Sequence, residues 1–199
     1  MPRILETIVT TCNADGSVHL VPFGLIVDND DYIVAPFRPS PTIGNLERHP
    51  FLAAAAPVDI RVVAGCVTGR REWATVPCER IDCVRLDNAF AHMELAVCDV
   101  VHDDVRPRFR CRVVHVAMHQ PFLGYSRAQA AVLEAAILST RLHLLSPDKI
   151  RSEMAYLQIG VDKTAGEAER EAWRWIEEKV RSGPEVNAAP GGQPAATRP

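Results

Sequence analysis

Residues 35–50 read APFRPSPTIGNLERHP, where an apolar run gives way to two X-Pro steps and then to a short helical pattern. Pro39 and Pro41 disfavour the helical region for Arg38 and Ser40. Both are therefore expected on a stiff, extended backbone, with a helix opening at Thr42. The first amides of that helix, at Ile43, Gly44 and Asn45, have no carbonyl one turn back and lie at the positive end of the helix dipole. Arg38, Ser40, Thr42 and those amides form a set able to surround a phosphate, and Gly44 permits close approach to the backbone. The same residues also make an ordinary capped helix start beside a solvated arginine, so the local pattern leaves both readings open.

Upstream, Ile4 to Thr11 alternates and is rich in β-branched residues, and Asn13 to Ser17 is turn chemistry. Val18 to Val27 is a second strand, and Tyr32 to Phe37 is a third beyond the polar turn at Asp28 to Asp31. Within the second strand, Val21, Pro22, Phe23 and Gly24 include one residue without an N–H and one without a side chain. Such residues mark an edge, a bulge, or a place where a flat ligand lies against the main chain. Downstream, Phe51 to Pro57 is a fourth apolar run. Ile60, Val63, Ala64 and Val67 then fall at helical spacing, with Asp59 as N-cap and Gly69 past the end. Strands are expected at Ala89 to Val101 and Phe109 to Met118, divided by the turn His102-Asp103-Asp104, while Trp73 to Leu86 is ambiguous. After Pro121 the chain becomes helical, at Ser126 to Leu144, Pro147 to Leu157 and Ala165 to Arg181. Early strands and late helices predict an α+β fold, a small antiparallel β-barrel with a C-terminal helical appendix. The expected organisation is a barrel domain at 1–120, a helical subdomain at 121–182 and a disordered tail at 183–199. In that tail four prolines and three glycines leave almost nothing to bury.

At 199 residues, 47% hydrophobic and 24% charged, the chain can bury a real core, and its formal net charge of -3 argues against nucleic acid as a partner. No apolar run approaches the roughly 20 residues that cross a bilayer, and Glu6 stands where a secretory leader would be apolar, so a cytoplasmic protein is expected. The six cysteines, Cys12, Cys66, Cys78, Cys83, Cys98 and Cys111, are scattered and contain no C-x-x-C pair. In a reducing compartment they are expected to act as small, mostly buried apolar residues. Cys111, His115 and His119 face one way along the predicted strand, but four residues at ~3.3 Å separate the two histidines by about 13 Å. One ion cannot reach both, so no metal is expected. His92-Met93-Glu94 reads as part of a cross-sheet pair. The nucleophile elbow, P-loop and H-E-x-x-H patterns do not occur.

Five stretches in order carry a resemblance. They are E-T-I-V-T-T at 6–11, the P-F-G of the second strand, P-F-R-P-S-P-T-I-G-N-L at 36–46, Asp59 opening a helix, and S-R-A-Q-A-A-V-L-E-A-A-I-L-S-T-R-L at 126–142. Together they resemble the domain of unknown function 447 family over roughly Ile4 to Val180. That family is similar to flavin mononucleotide (FMN) binding split barrels, related in fold to pyridoxamine phosphate oxidases and flavin reductases. The resemblance implies FMN as cofactor, with Arg38, Ser40, Thr42 and Asn45 on its phosphate and Val21, Pro22, Phe23 and Gly24 along the isoalloxazine ring. It further implies a homodimer with flavin at the interface. The implied activity is that of a flavin-dependent oxidoreductase passing a hydride between reduced nicotinamide and a small acceptor, pterin-like molecules included. The alternatives are a non-enzymatic FMN carrier or flavin-responsive interaction protein, and a split barrel holding haem through a histidine.

Apolar or small residues surround nearly the whole of the predicted 126–144 helix, which predicts burial. Yet Arg127, Glu134 and Arg141 recur every seven residues, as one charged seam with neighbours about 10 Å apart. That spacing excludes pairing within the helix. The seam either faces water or meets a second subunit, a substrate carboxylate or flavin, since a buried unpaired charge costs several kcal/mol.

Overall fold

The computed structural model describes residues 2–183, so the expected tail lies outside the described residues except for Gly183. The contacts divide the chain into two compact units, one up to Tyr125 and one from Ser126.

The first unit begins as a meander of β1 (Ile4–Cys12), β2 (Val18–Asp28) and β3 (Asp31–Val34). Its turns are local chemistry. Between β1 and β2 the Asp15 carboxylate accepts from the Ser17 amide at 3.0 Å while Gly16 takes φ +81°, which a side chain would resist. Between β2 and β3, Asn29 adopts φ 57°, the left-handed conformation that a two-residue hairpin loop demands. β3 stops at Val34 rather than Phe37, because Pro36 has no N–H to continue the ladder. Then follow α1 (Pro41–Arg48), β4 (Phe51–Pro57), α2 (Arg61–Val67), β5 (Thr75–Pro77), β6 (Val84–Leu86), β7 (Ala89–Val101) and β8 (Arg108–Met118).

Six antiparallel strands close a barrel in the order β1-β2-β3-β8-β7-β4. β1 pairs along its whole length with β2, and Ile8 faces Ala55 to join β1 to β4. On the far side Val34 faces Phe109 and joins β3 to β8. β2 meets β3 only at Ile26 to Asp28, so among the described residues Val18 to Leu25 have no strand partner on that side. Val9, Leu25, Val34, Leu52, Leu95 and Phe109 fill the interior, and Ile43 and Leu46 bring the apolar face of α1 into the same cluster. Each such side chain contributes about 1.5–3 kcal/mol on burial. In β4, Ala53, Ala54 and Ala55 are all 1% exposed. The strand touches the β5–β6 hairpin as well as the barrel, so both faces are covered and alternation disappears.

The hairpin occupies the stretch where no sequence pattern was legible, because three residues a side are too few to show a period. The Thr10 hydroxyl of β1 donates to the Val84 carbonyl and holds β6 in place. Cys78 and Cys83 thereby come beside Cys12, so these cysteines are scattered in sequence but not in space; Cys98, moreover, is exposed rather than buried. α2 starts at Arg61, whose amide donates to the Asp59 carboxylate at 2.9 Å. That places the capping side chain one residue earlier than the helix N-cap, Ile60.

The second unit consists of α3 (Arg127–Ser139), α4 (Pro147–Thr164) and α5 (Glu167–Ser182). Ser126 caps α3 by accepting the Gln129 amide at 3.2 Å, and Ser146 caps α4 through Lys149 at 3.3 Å. α3 is buried on one face only, through Ala128, Ala131, Val132, Ala135, Ala136 and Ser139, rather than all round. It ends at Ser139 instead of Leu144. The hydroxyls of Ser139 and Thr140 accompany that end, each donating back to a carbonyl three residues earlier at 2.7 Å. α4 runs past Leu157 to Thr164. A β-carbon on its Gly160 would stand 3.3 Å from the Arg127 carbonyl, so the absent side chain lets α3 and α4 approach closely. Among the described residues no helix is long and apolar enough to cross a membrane.

Candidate functional site

The segment leaving β3 forms an arm into α1. Ser40, the N-cap, is extended at φ -145° and ψ 130°, as two flanking prolines require, and the Arg38-Pro39 peptide is cis. The helix opens at Pro41, one residue before Thr42, with proline in the position where a missing N–H costs nothing. The Ser40 side chain makes no capping bond. The Ile43 amide, expected to be free, donates to the Ser40 carbonyl at 3.1 Å and is withdrawn from any ligand. Thr42 is 0% exposed, and its hydroxyl is buried without a hydrogen-bond partner. An orphaned hydroxyl in a buried setting costs about 1–3 kcal/mol, so its presence calls for a compensating role.

Asn45 plays a different part. Its amide nitrogen donates to Thr11 Oγ1 at 3.0 Å and Asn13 Oδ1 at 2.9 Å, and its oxygen accepts from Arg48 at 3.2 Å. Both amide hydrogens are thus committed, and Asn45 ties α1 to the end of β1 and the turn after it. The arm is buttressed by the loop between β7 and β8, where the sequence shows only a turn. The Asp103 carboxylate accepts from the amides of Arg106 at 2.6 Å and Val105 at 2.8 Å, and these bonds hold its pKa below the ordinary value. Arg106 in turn donates to the Ala35 carbonyl at 2.9 Å and lays its guanidinium 4.5 Å over the Phe37 ring. Arg38 is exposed; its amide bonds Val105 at 2.9 Å and its Nε reaches the Asp103 carbonyl at 3.4 Å. No sequence pattern would have placed Arg106 here, since the contact joins residues 71 apart.

Arg38 and Ser40 thus lie within three residues of the start of α1 and Thr42 in its first turn, so a guanidinium, a positive dipole end and an unpartnered hydroxyl belong to one short segment. This donor set fits an anion. Val21 to Gly24 come from a separate segment, the open edge of β2, where Pro22 faces Ile8 and Gly24 faces Glu6. A β-carbon on Gly24 would lie 2.8 Å from Ile4 Cγ2, so a side chain there would have to displace Ile4 on β1.

In the helical unit, Arg127 and Glu134 are exposed and line a shallow groove of about 230 Å³ with Tyr156, Leu157 and Gly160. Arg141 lies beyond the end of α3, so the expected three-residue seam is broken after Glu134. The histidines form a cluster of their own. Buried His92 stacks on His119 with centroids 5.1 Å apart and meets His115 edge-on at 6.0 Å. Its Nε2 lies 3.1 Å from Glu94, which sits opposite His115 in the sheet. Among the described residues no group of three His, Cys, Asp or Glu side chains has the geometry to hold a metal ion.

Two family models cover nearly all of the described chain. The N-terminal domain of the protein of unknown function DUF447 matches residues 5–120, and its C-terminal part matches residues 126–178. The chain belongs to the DUF447 family. This DUF447 protein resembles the crystal structure of an FMN-bound member of the same family from Methanosarcina mazei. The TM-score is 0.74 at 21% identity, over 90% of this chain and 96% of that one. It also resembles the 2-nitrobenzoate 2-nitroreductase of Pseudomonas fluorescens, with TM-score 0.50 at 16% identity over 60% of this chain and 66% of that one. A flavoredoxin from Methanosarcina acetivorans matches with TM-score 0.50 at 13% identity over 62% and 72% of the two chains. These likenesses establish a common α+β barrel fold. A search of the curated proteins found no significant match.

Proposed function

We propose that this DUF447 protein binds FMN and acts as a flavin-dependent oxidoreductase on a small acceptor, pterin-like molecules included, with reduced nicotinamide as its partner. The arm into α1 carries the reading. A surface guanidinium, a serine hydroxyl that makes no capping bond and a buried threonine hydroxyl without a hydrogen-bond partner stand in one short segment at a helix N-terminus, and donors of these kinds suit a phosphate monoester. Neighbours named as FMN-bound, as a nitroreductase and as a flavoredoxin support it.

Arg38, Ser40 and Thr42 would hold the phosphate, and the open β2 edge at Val21 to Gly24 would receive the isoalloxazine. Asn45 fixes the arm from within the chain. FMN, when bound, supplies hydride and single-electron exchange. The chain's own residues bind, orient and exclude water. A homodimer belongs to the same reading, supported by the exposed apolar row of Val114, Val116 and Met118 on β8; sedimentation reports it directly. The enzymatic part is tested by mixing FMN-loaded protein anaerobically with NADH or NADPH. Bleaching of the visible flavin band supports a reductase. A yellow protein inert to both is a carrier, and a red one holds haem.

A further inference from the structure

We propose that Cys12, Cys78 and Cys83 form a redox-modification site, in which Cys83 reacts with a hydroperoxide and Cys78 captures the product as an intramolecular disulfide. The proposal stands apart from the flavin reading and uses none of its residues.

The placement begins with the β5–β6 hairpin, whose last register pair is Pro77 with Val84. The next pair along it is Cys78 and Cys83, joined by a bond from the Cys78 amide to the Cys83 carbonyl of 2.9 Å. Cys83 Sγ lies 3.7 Å from the Thr10 carbonyl, so the hairpin's cysteines are pressed against the end of β1 that carries Cys12. Within this cluster Cys78 and Cys12 are both neighbours of the Cys83 thiol, whose Sγ also reaches the Val84 carbonyl at 3.5 Å. All three are free thiols; Cys83 is 7% exposed, and Cys12 and Cys78 are half-buried beside it.

The three thiols are not equivalent. Donation from Cys78 outweighs the burial that opposes charge, and holds the Cys83 thiol below its ordinary pKa. Cys78, the donor in that bond, is pushed up. Of the three, Cys83 is therefore the thiol whose deprotonation its neighbours favour. Elsewhere burial pushes Cys66 up to about 11 and Cys111 up to about 12, which makes both poor nucleophiles.

The chemistry balances as follows. The Cys83 thiolate attacks one oxygen of hydrogen peroxide; the O–O bond breaks, hydroxide leaves and takes a proton to become water, and Cys83 becomes a sulfenic acid. The neighbouring Cys78 stands opposite Cys83 across the hairpin. Cys78 gives its thiol proton to solvent and attacks the Cys83 sulfur; the S–O bond breaks, and a second water leaves. Two thiols lose two electrons and one peroxide gains them.

The test uses the full chain, reduced, treated with one equivalent of hydrogen peroxide, quenched with an alkylating agent and mapped by mass spectrometry without reductant. The expected product has lost two hydrogens and yields a linked Cys78–Cys83 peptide, with Cys66 and Cys111 unmodified. In Cys78→Ser the same treatment leaves Cys83 as a sulfenic acid that dimedone labels. The proposal is overturned if Cys83 stays fully alkylatable while exposed Cys98 takes the oxidation, or if the linked peptide joins Cys12 to Cys83. The wild-type map decides the question even where a variant fails to fold.

Discussion

Thr42 carries a hydroxyl that nothing in the described chain satisfies, in a residue that is fully buried. Valine has the same shape without the polar atom. Thr42→Val is therefore expected to leave the urea midpoint unchanged or to raise stability by about 1 kcal/mol, while weakening FMN binding about tenfold. A purely structural threonine would show no loss of binding. Glu94 is the opposite case, a buried carboxylate with every oxygen in use. Burial alone would raise its pKa, but the amides of Glu79 at 2.5 Å, Arg80 at 2.7 Å and Ile81 at 3.1 Å, together with His92, hold it below the ordinary 4.5. Its stabilising contribution is thus complete above pH 4.5 and is lost as pH falls through the lower, folded value. Glu94→Gln should cost about 1–3 kcal/mol at neutral pH and flatten the acid limb of stability, measured by urea unfolding at pH 7 and in acid.

α1 works as an element because one face closes the barrel core and its buried polar residue anchors it. Asn45→Ala strands Thr11 Oγ1 and Asn13 Oδ1, and is expected to cost about 1–3 kcal/mol in denaturant. FMN affinity should fall with it, since the arm loses its anchor. The helix start itself was legible, because two prolines fix the backbone ahead of it. So were β1, β2, β4, β7 and β8, each with a run long enough to show its apolar pattern. The β5–β6 hairpin was not, because three-residue strands carry no period. α3 ends short of the expected Leu144 because Ser139 and Thr140 close the helix while Leu142 and Leu144 continue the apolar spacing, which also removes Arg141 from the seam. In the candidate site, Arg38, Ser40 and Thr42 stand in one continuous stretch of sequence. The roles of Arg106 and Asp103 are not legible there, since they arise only when the β7–β8 loop folds back onto the arm.

For the molecule as a whole, the central claim is that an overall acidic chain, with formal net charge -3, gathers cation, hydroxyls and helix dipole at one arm of a barrel in order to hold a phosphate. Arg38 is the charged member of that set and is exposed, so its removal should leave folding intact. A charge-assisted hydrogen bond to an anion is worth about 1.5–3 kcal/mol, or roughly 10–100-fold in affinity. The most direct measurement is a calorimetric titration of FMN, with riboflavin as the phosphate-free control, into wild-type protein and Arg38→Ala. The account predicts tight wild-type binding of FMN, much weaker binding of riboflavin, and a 10–100-fold loss for FMN alone in the variant. Equal affinity for the two flavins, or an Arg38→Ala protein that binds FMN as the wild type does, would contradict it.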